Sequence, residues 1–169
     1  MNDAAVGWSD STRRLTALVT LRMLIGWHFL YEGLAKVLDT RWTAAGYLAE
    51  SQGPLSGVFH WLLFDPSRLA VVDFINRWGL VLIGVALIAG LLTRYATIAG
   101  ILLLAMYYVA TPPFPAYVYS KPAEGSYLIV NKVLIELVAL WVLFLFPTSQ
   151  VVGLDRLLVG KGALEASND

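Results

Sequence analysis

What most constrains this chain is a set of four apolar stretches, each closed by residues that stop a helix. The first runs over about 15–38 (LTALVTLRMLIGWHFLYEGLAKVL) and the second over about 72–92, around WGLVLIGVALIAGLL. The third covers 95–110 (YATIAGILLLAMYYVA) and the fourth 127–146 (YLIVNKVLIELVALWVLFLF). Thr93-Arg94 turns the chain between the second and third. Pro112, Pro113 and Pro115 end the third, and Pro147 ends the fourth, because proline lacks an N–H and clashes with the preceding turn. At ~1.5 Å per residue, about 20 residues cross a ~30 Å hydrocarbon core. Composition agrees: hydrophobic residues make up 58% and charged residues 14%, against ~45–50% and ~25% in soluble domains. The chain reads as all-α, an integral membrane four-helix bundle in which residues 1–169 form a single membrane domain.

The first stretch is expected to be a membrane span and not a cleaved signal. It follows a polar lead ending in Arg13-Arg14, carries Arg22, His28, Glu32 and Lys36, and shows no small-residue cleavage site. Between the first and second spans, Thr43–Glu50 and Leu55–Phe64 read as short interfacial helices split by Gly53-Pro54. They form either a lid over a site or a packed surface connection. GLDRLL at 153–158 reads as a short interfacial helix. Gly26 and Gly33 share one stripe of the first helix; with Gly79, Gly84, Gly90 and Gly100 they suggest close helix packing.

Four spans put both termini on the side of the Arg94 turn. Arg13, Arg14, Arg94, Arg156 and Lys161 lie there, against Arg41, Arg68, Arg77 and Lys121 opposite. The positive-inside rule then favours cytoplasmic termini. Tyr107, Tyr108, Phe114, Tyr117 and Tyr119 would form an outer aromatic belt.

Several function classes are excluded. Lys+Arg and Asp+Glu are each 12, so no basic excess is available for nucleic acid. There is no Cys, which removes disulfides, thiolate metal sites and cysteine-held iron–sulfur clusters from this chain. No phosphate loop, nucleophile–base pair or metal-ligand spacing is found.

The informative residues are the polar ones inside the apolar stretches. A charge at the bilayer centre costs ~2.5–3.5 kcal/mol even on insertion scales. At ~100° per residue, Arg22, His28, Glu32 and Lys36 fall within one ~120° arc, which should face the bundle interior, and Glu32 and Lys36 are an i,i+4 pair in the favoured order. In the fourth helix Lys132 and Glu136 are one turn apart, with Asn131 beside them. The first and fourth helices run antiparallel, so depth makes a second test. Glu32 (~9 Å from its helix end) matches Lys132 (~7.5 Å), and His28 (~15 Å) matches Glu136 (~13.5 Å). Arg22 is left in the opposite half, in need of Thr16, Thr20, a backbone carbonyl, a lipid phosphate or a partner protein. These pairs are either glue fixing helix register or a polar site for a quinone headgroup, a proton or a small anion. Haem is disfavoured, because the only second His is His60 in the long loop.

The order of these features resembles the DoxX family of small four-helix membrane proteins. The resemblance rests on RMLIGWHFLYEGLAKVL at 22–38, GVALIAGLLTRYATIAGILLL at 84–104, EGSYLIVNKVLIELVAL at 124–140 and the GLDRLL that follows. It covers nearly the whole chain, and Asn-Lys four residues before Glu inside a span is its most specific part. The resemblance implies a bacterial inner-membrane, multi-pass protein. That family includes the DoxD subunit of thiosulfate:quinone oxidoreductase, which works with a second subunit. Function therefore divides into a membrane subunit of a quinone-linked redox complex and a non-catalytic accessory or assembly subunit. A component of a transporter is a third reading, opposed by the lack of an internal repeat. Lipid and a membrane-protein partner or second copy are the expected neighbours.

Overall fold

A computed structural model describes residues 3–115, 117–120 and 128–156. Among these, all regular structure is helical: α1 Asp3–Leu38, α2 Ala45–Ala49, α3 Ser56–Leu63, α4 Pro66–Ala89, α5 Thr93–Ala110 and α6 Lys132–Leu145. Two helices, α4 and α5, are long and apolar enough to cross a membrane.

Helix ends differ from the hydropathy boundaries where capping outweighs hydropathy. α1 begins at Asp3 instead of near Leu15, the polar lead continuing the same helix. α4 starts at Pro66, six residues before the expected 72. Asp65 caps it by accepting from the N–H groups of Ser67 (2.8 Å) and Arg68 (3.3 Å), and Pro66 supplies a first helical residue that needs no donor. It ends at Gly90 in the left-handed region, φ 65°, where Gly90 N–H bonds Leu87 O and Leu91 N–H bonds Ala86 O. α6 starts at Lys132. The expected start, Tyr127, lies outside the described residues. Asn131 has extended backbone, and its side chain accepts from Leu134 N–H at 2.9 Å, so it is an N-cap and not a mid-helix residue. The 14 residues of α6 give a rise of ~21 Å.

α1, α4, α5 and α6 share one core of Ile25, Phe29, Leu80, Ile83, Leu87, Ala96, Leu104, Leu140 and Leu143. α1 packs most extensively on α4, and α5 on α6; the α1–α6 seam is the sparsest of the four. The α1–α4 contact is backbone to backbone. A Cβ on Gly33 would stand 2.7 Å from Val81 N, and one on Gly84 would stand 2.7 Å from Gly26 O. Gly100 admits Leu140 from α6. Gly79 faces open space and takes no part.

The 39–65 segment forms a second, smaller core of Ala44, Leu48 and Phe59 with Ala110 of α5. Its short helices fall where the sequence suggested. Ser51 donates to Ala110 O (2.9 Å), Tyr47 to Tyr107 O (2.7 Å), and Ala44 N–H to Asp73 (2.7 Å). The segment is thereby fixed as a packed cap on the Ala110 end of α5.

This packing makes a paired prediction. Gly84→Ala should destabilise the protein by ~1–3 kcal/mol, because the methyl group meets α1 backbone. Gly79→Ala should be neutral or stabilise by up to ~1 kcal/mol through helix propensity. Thermal unfolding of both variants in one detergent checks the contrast.

Candidate functional site

The polar side chains of α1 separate into two places. Arg22 lies in the half nearer the termini and is 2% exposed. Its Nη1 donates to Thr148 Oγ1 (2.9 Å) and its Nη2 to Val152 O (2.7 Å), while Nε has no partner among the described residues. Neither Thr16 nor Thr20 takes it. The guanidinium instead ties α1 to the turn after α6, which itself bonds the α4–α5 turn. There Leu154 N–H bonds Ala89 O (3.1 Å) and Asp155 N–H bonds Gly90 O (2.9 Å). The Asp155 carboxylate accepts from Leu92 N–H (2.6 Å) and Thr93 N–H (3.2 Å), capping α5. Leu92 sits at φ 49°, a left-handed conformation costing on the order of 1–2 kcal/mol for a side-chain-bearing residue, which these bonds hold in place. The GLDRLL motif thus has a legible structural role up to Arg156, and its remainder lies outside the described residues.

The second place is the α1–α6 seam, in the half toward the 39–65 segment. His28 Nδ1 is 2.7 Å from Glu136 Oε1. The depth match expected from sequence therefore forms. His28 is 49% exposed at its side chain and Glu136 13%, so the carboxylate is sheltered and the ring reaches the mouth of the seam. His28 Nε2 has no partner among the described residues. The other expected pair does not form as a contact: Glu32 takes Lys36 Nζ at 2.5 Å, one turn away on its own helix. An i,i+4 partner needs no neighbouring helix to be positioned, which gives it the advantage over Lys132. Lys132 is exposed at the start of α6, and its charge acts on both Glu32 and His28. Asn131 is committed to its cap. Lys36 also donates to Glu32 O (3.2 Å) and lies 5.8 Å over the Trp42 ring.

Residues outside the sequence-based site complete the surroundings. Tyr107 donates to Asn76 Oδ1 (2.9 Å), and its phenol feels the charge of Glu32. Arg77 donates to Trp42 O and stacks 5.3 Å from that ring. The bonds of Asp73, Asn76 and Arg77 to Ala44, Tyr107 and Trp42 tie the 39–65 segment and α5 to α4. The signal that could have found them is their spacing of three and four on one helix face. An open groove of ≈ 580 Å³ lies elsewhere, lined by Arg14, Leu15, Leu18, Leu145, Phe146 and Thr148 beside the Arg22 clasp. His60 lies on α3, and no contact among the described residues joins it to His28. No three His, Asp or Glu among the described residues gather at metal-ligand spacing.

No family model, no characterised protein and no solved structure matches the chain.

The Arg22–Asp155 end yields a pH prediction. Burial pushes the Asp155 carboxyl up, but hydrogen bonds from Ser149, Thr93 and Leu92 outweigh it and hold the group below its ordinary range. A depressed folded pKa means this stabilisation is complete above ~3.9 and fades as pH falls through the folded value. Asp155→Ala should cost ~0.5–2 kcal/mol at neutral pH. The gap to the unaltered protein should narrow as pH falls below ~3.9, the ordinary aspartate value. Unfolding temperatures across that range provide the check.

Proposed function

We propose that this chain is a DoxX-like, four-span protein of the bacterial inner membrane, with cytoplasmic termini, that serves as a membrane subunit of a quinone-linked redox complex. Thiosulfate:quinone oxidoreductase is the most specific form of that reading. The membrane part is supported by α4 and α5 and by the surface. Leu24, Trp27, Leu82, Tyr95, Leu102 and Ile135 are each at least 60% exposed. Such an apolar exterior is costly in water and favourable in lipid. α1 and α6 join the same core; the ~21 Å of α6 needs its flanking residues to complete a crossing, and with them the four helices would cross the bilayer with the 39–65 segment at one face.

One observation carries the quinone reading: the His28–Glu136 pair with a free Nε2 at the mouth of the seam. A quinone headgroup asks for a donor at a carbonyl and a proton on reduction. Ionised Glu136 accepts the Nδ1 proton and balances an imidazolium, so Nε2–H can donate to a carbonyl oxygen and pass its proton to the reduced ring. Lys132, at the start of α6, supplies positive charge for a developing quinol anion. The isoprenoid tail would lie along the apolar exterior. Electrons come from a partner subunit or a soluble reductant such as thiosulfate, since this chain has neither Cys nor an evident flavin motif.

A second reading is favoured by the stripe beside His28. Leu24, Trp27, Tyr31, Leu34 and Leu38 alternate at spacings of three and four and are all exposed. A partner's helix on that stripe would cover the seam and make the chain an accessory subunit, its charges only fixing register.

Binding of a short-chain quinone to detergent-purified protein separates the two. Glu136→Gln should weaken binding at least about tenfold, the loss of a charge-assisted bond worth ~1.5–3 kcal/mol. Unchanged binding, or a stoichiometric partner with no quinone affinity, would reject the quinone site.

A further inference from the structure

His28, Glu32 and Lys36 are spaced one turn apart along the last third of α1, toward the end that meets the 39–65 segment. The backbone rises ~6 Å per rung; Glu32 and Lys36 close it by direct contact, while His28 and Glu32 make no direct bond and a water between them could link the two. The groups around the stripe are also polar: Glu136 and Lys132 on α6, and Tyr107 of α5 with its partner Asn76 of α4. Paired as they are, His28 and Glu32 remain 49% and 47% exposed at their side chains.

Toward the termini the interior changes character. Ile25, Phe29, Leu140 and Leu143 are buried and apolar. The charge beyond them, Arg22, is closed off by Thr148 and Val152. A proton at His28 therefore has titratable groups leading one way and a packed apolar plug with a fixed cation the other way.

We infer that the His28–Glu32–Lys36 stripe is a hydrated half-channel that exchanges protons between the His28–Glu136 pair and the face carrying the 39–65 segment, and is closed to the face carrying the termini. It rests on the four-span reading but not on a quinone. Water enters along the sparse α1–α6 seam. The proton moves between imidazole and the Glu32 carboxylate through water, with Lys36 balancing charge when Glu32 is ionised. Any reaction at His28 then draws or releases its protons on one face only.

The absence of Cys makes single-cysteine accessibility free of background. In sealed, oriented vesicles, Ser11→Cys and Thr40→Cys mark the two faces. A membrane-impermeant methanethiosulfonate should modify His28→Cys, Glu32→Cys and Lys36→Cys from the Thr40 face. Rates should exceed that of Leu24→Cys, and those from the Ser11 face, at least about tenfold, since apolar surroundings suppress the reactive thiolate. Hydroxyl-radical footprinting of the unaltered protein, which needs no variant to fold, should oxidise His28. Modification at 28 and 32 no faster than at 24, with His28 spared in footprinting, would show a dry seam and overturn the half-channel. Equal rates from both faces would overturn its one-sidedness. If Ser11→Cys and Thr40→Cys react from the same face, the four-span frame fails and the half-channel with it; quinone binding would still stand or fall on its own assay.

Discussion

On the proposed membrane reading, an ionised side chain in hydrocarbon must find a partner or water, and this requirement organises the proposed site. The ~2.5–3.5 kcal/mol cost of one mid-bilayer charge is comparable to a large share of the stability of a small domain. Arg22, Glu32, Lys36 and Glu136 each meet it differently. Arg22 is sealed by a hydroxyl and a carbonyl, Glu32 and Lys36 satisfy one another along α1, and Glu136 reaches across to His28. Only the last solution joins two helices that otherwise touch sparsely, so the seam where function is proposed is also where apolar packing contributes least.

The rest of the fold makes that seam affordable. α1 and α4 approach to backbone contact through Gly26, Gly33 and Gly84, which fixes the rotation of α1 and hence the direction of its polar stripe. At one end the Arg22 clasp ties α1 to the turn after α6, and the Asp155 cap locks that turn onto the α4–α5 turn. At the other, the second core and the Asp73, Asn76 and Arg77 bonds hold the 39–65 segment onto α4 and α5. With both ends held, the α1–α6 seam can stay open without loosening the bundle.

Much of this was legible in the sequence because helical periodicity and depth are simple geometry. The arc shared by His28, Glu32 and Lys36, the meeting of His28 with Glu136, and the split of the 39–65 segment at Gly53-Pro54 follow from periodicity and chain-breaking residues. The arc does not face the bundle interior as expected, because His28 and Glu32 stay about half exposed. Misreadings came where local hydrogen bonding competes with hydropathy. Asn131 looked like a polar residue inside a span because its neighbours are apolar, although Asn is among the strongest N-caps. Glu32 was matched to Lys132 by depth and to Lys36 by its i,i+4 spacing, and only the local partner makes contact. The partners of Arg22 stand 126 and 130 residues away, and neither Thr148 nor a backbone carbonyl carries a sequence signal. The family resemblance and the quinone reading rest on motif order and on the geometry at His28.

The central claim is that His28 and Glu136 are joined within the bilayer at the α1–α6 seam. With only two His in the chain, ring-labelled histidine gives a two-site nitrogen spectrum, and His60→Gln assigns it. Solid-state NMR of the protein in lipid bilayers, with carboxyl-labelled glutamate, reads the dipolar coupling between His28 Nδ1 and the side-chain carboxyl carbon. The account predicts a strong coupling that Glu136→Gln abolishes. No coupling at His28, or one that survives the substitution, would contradict it.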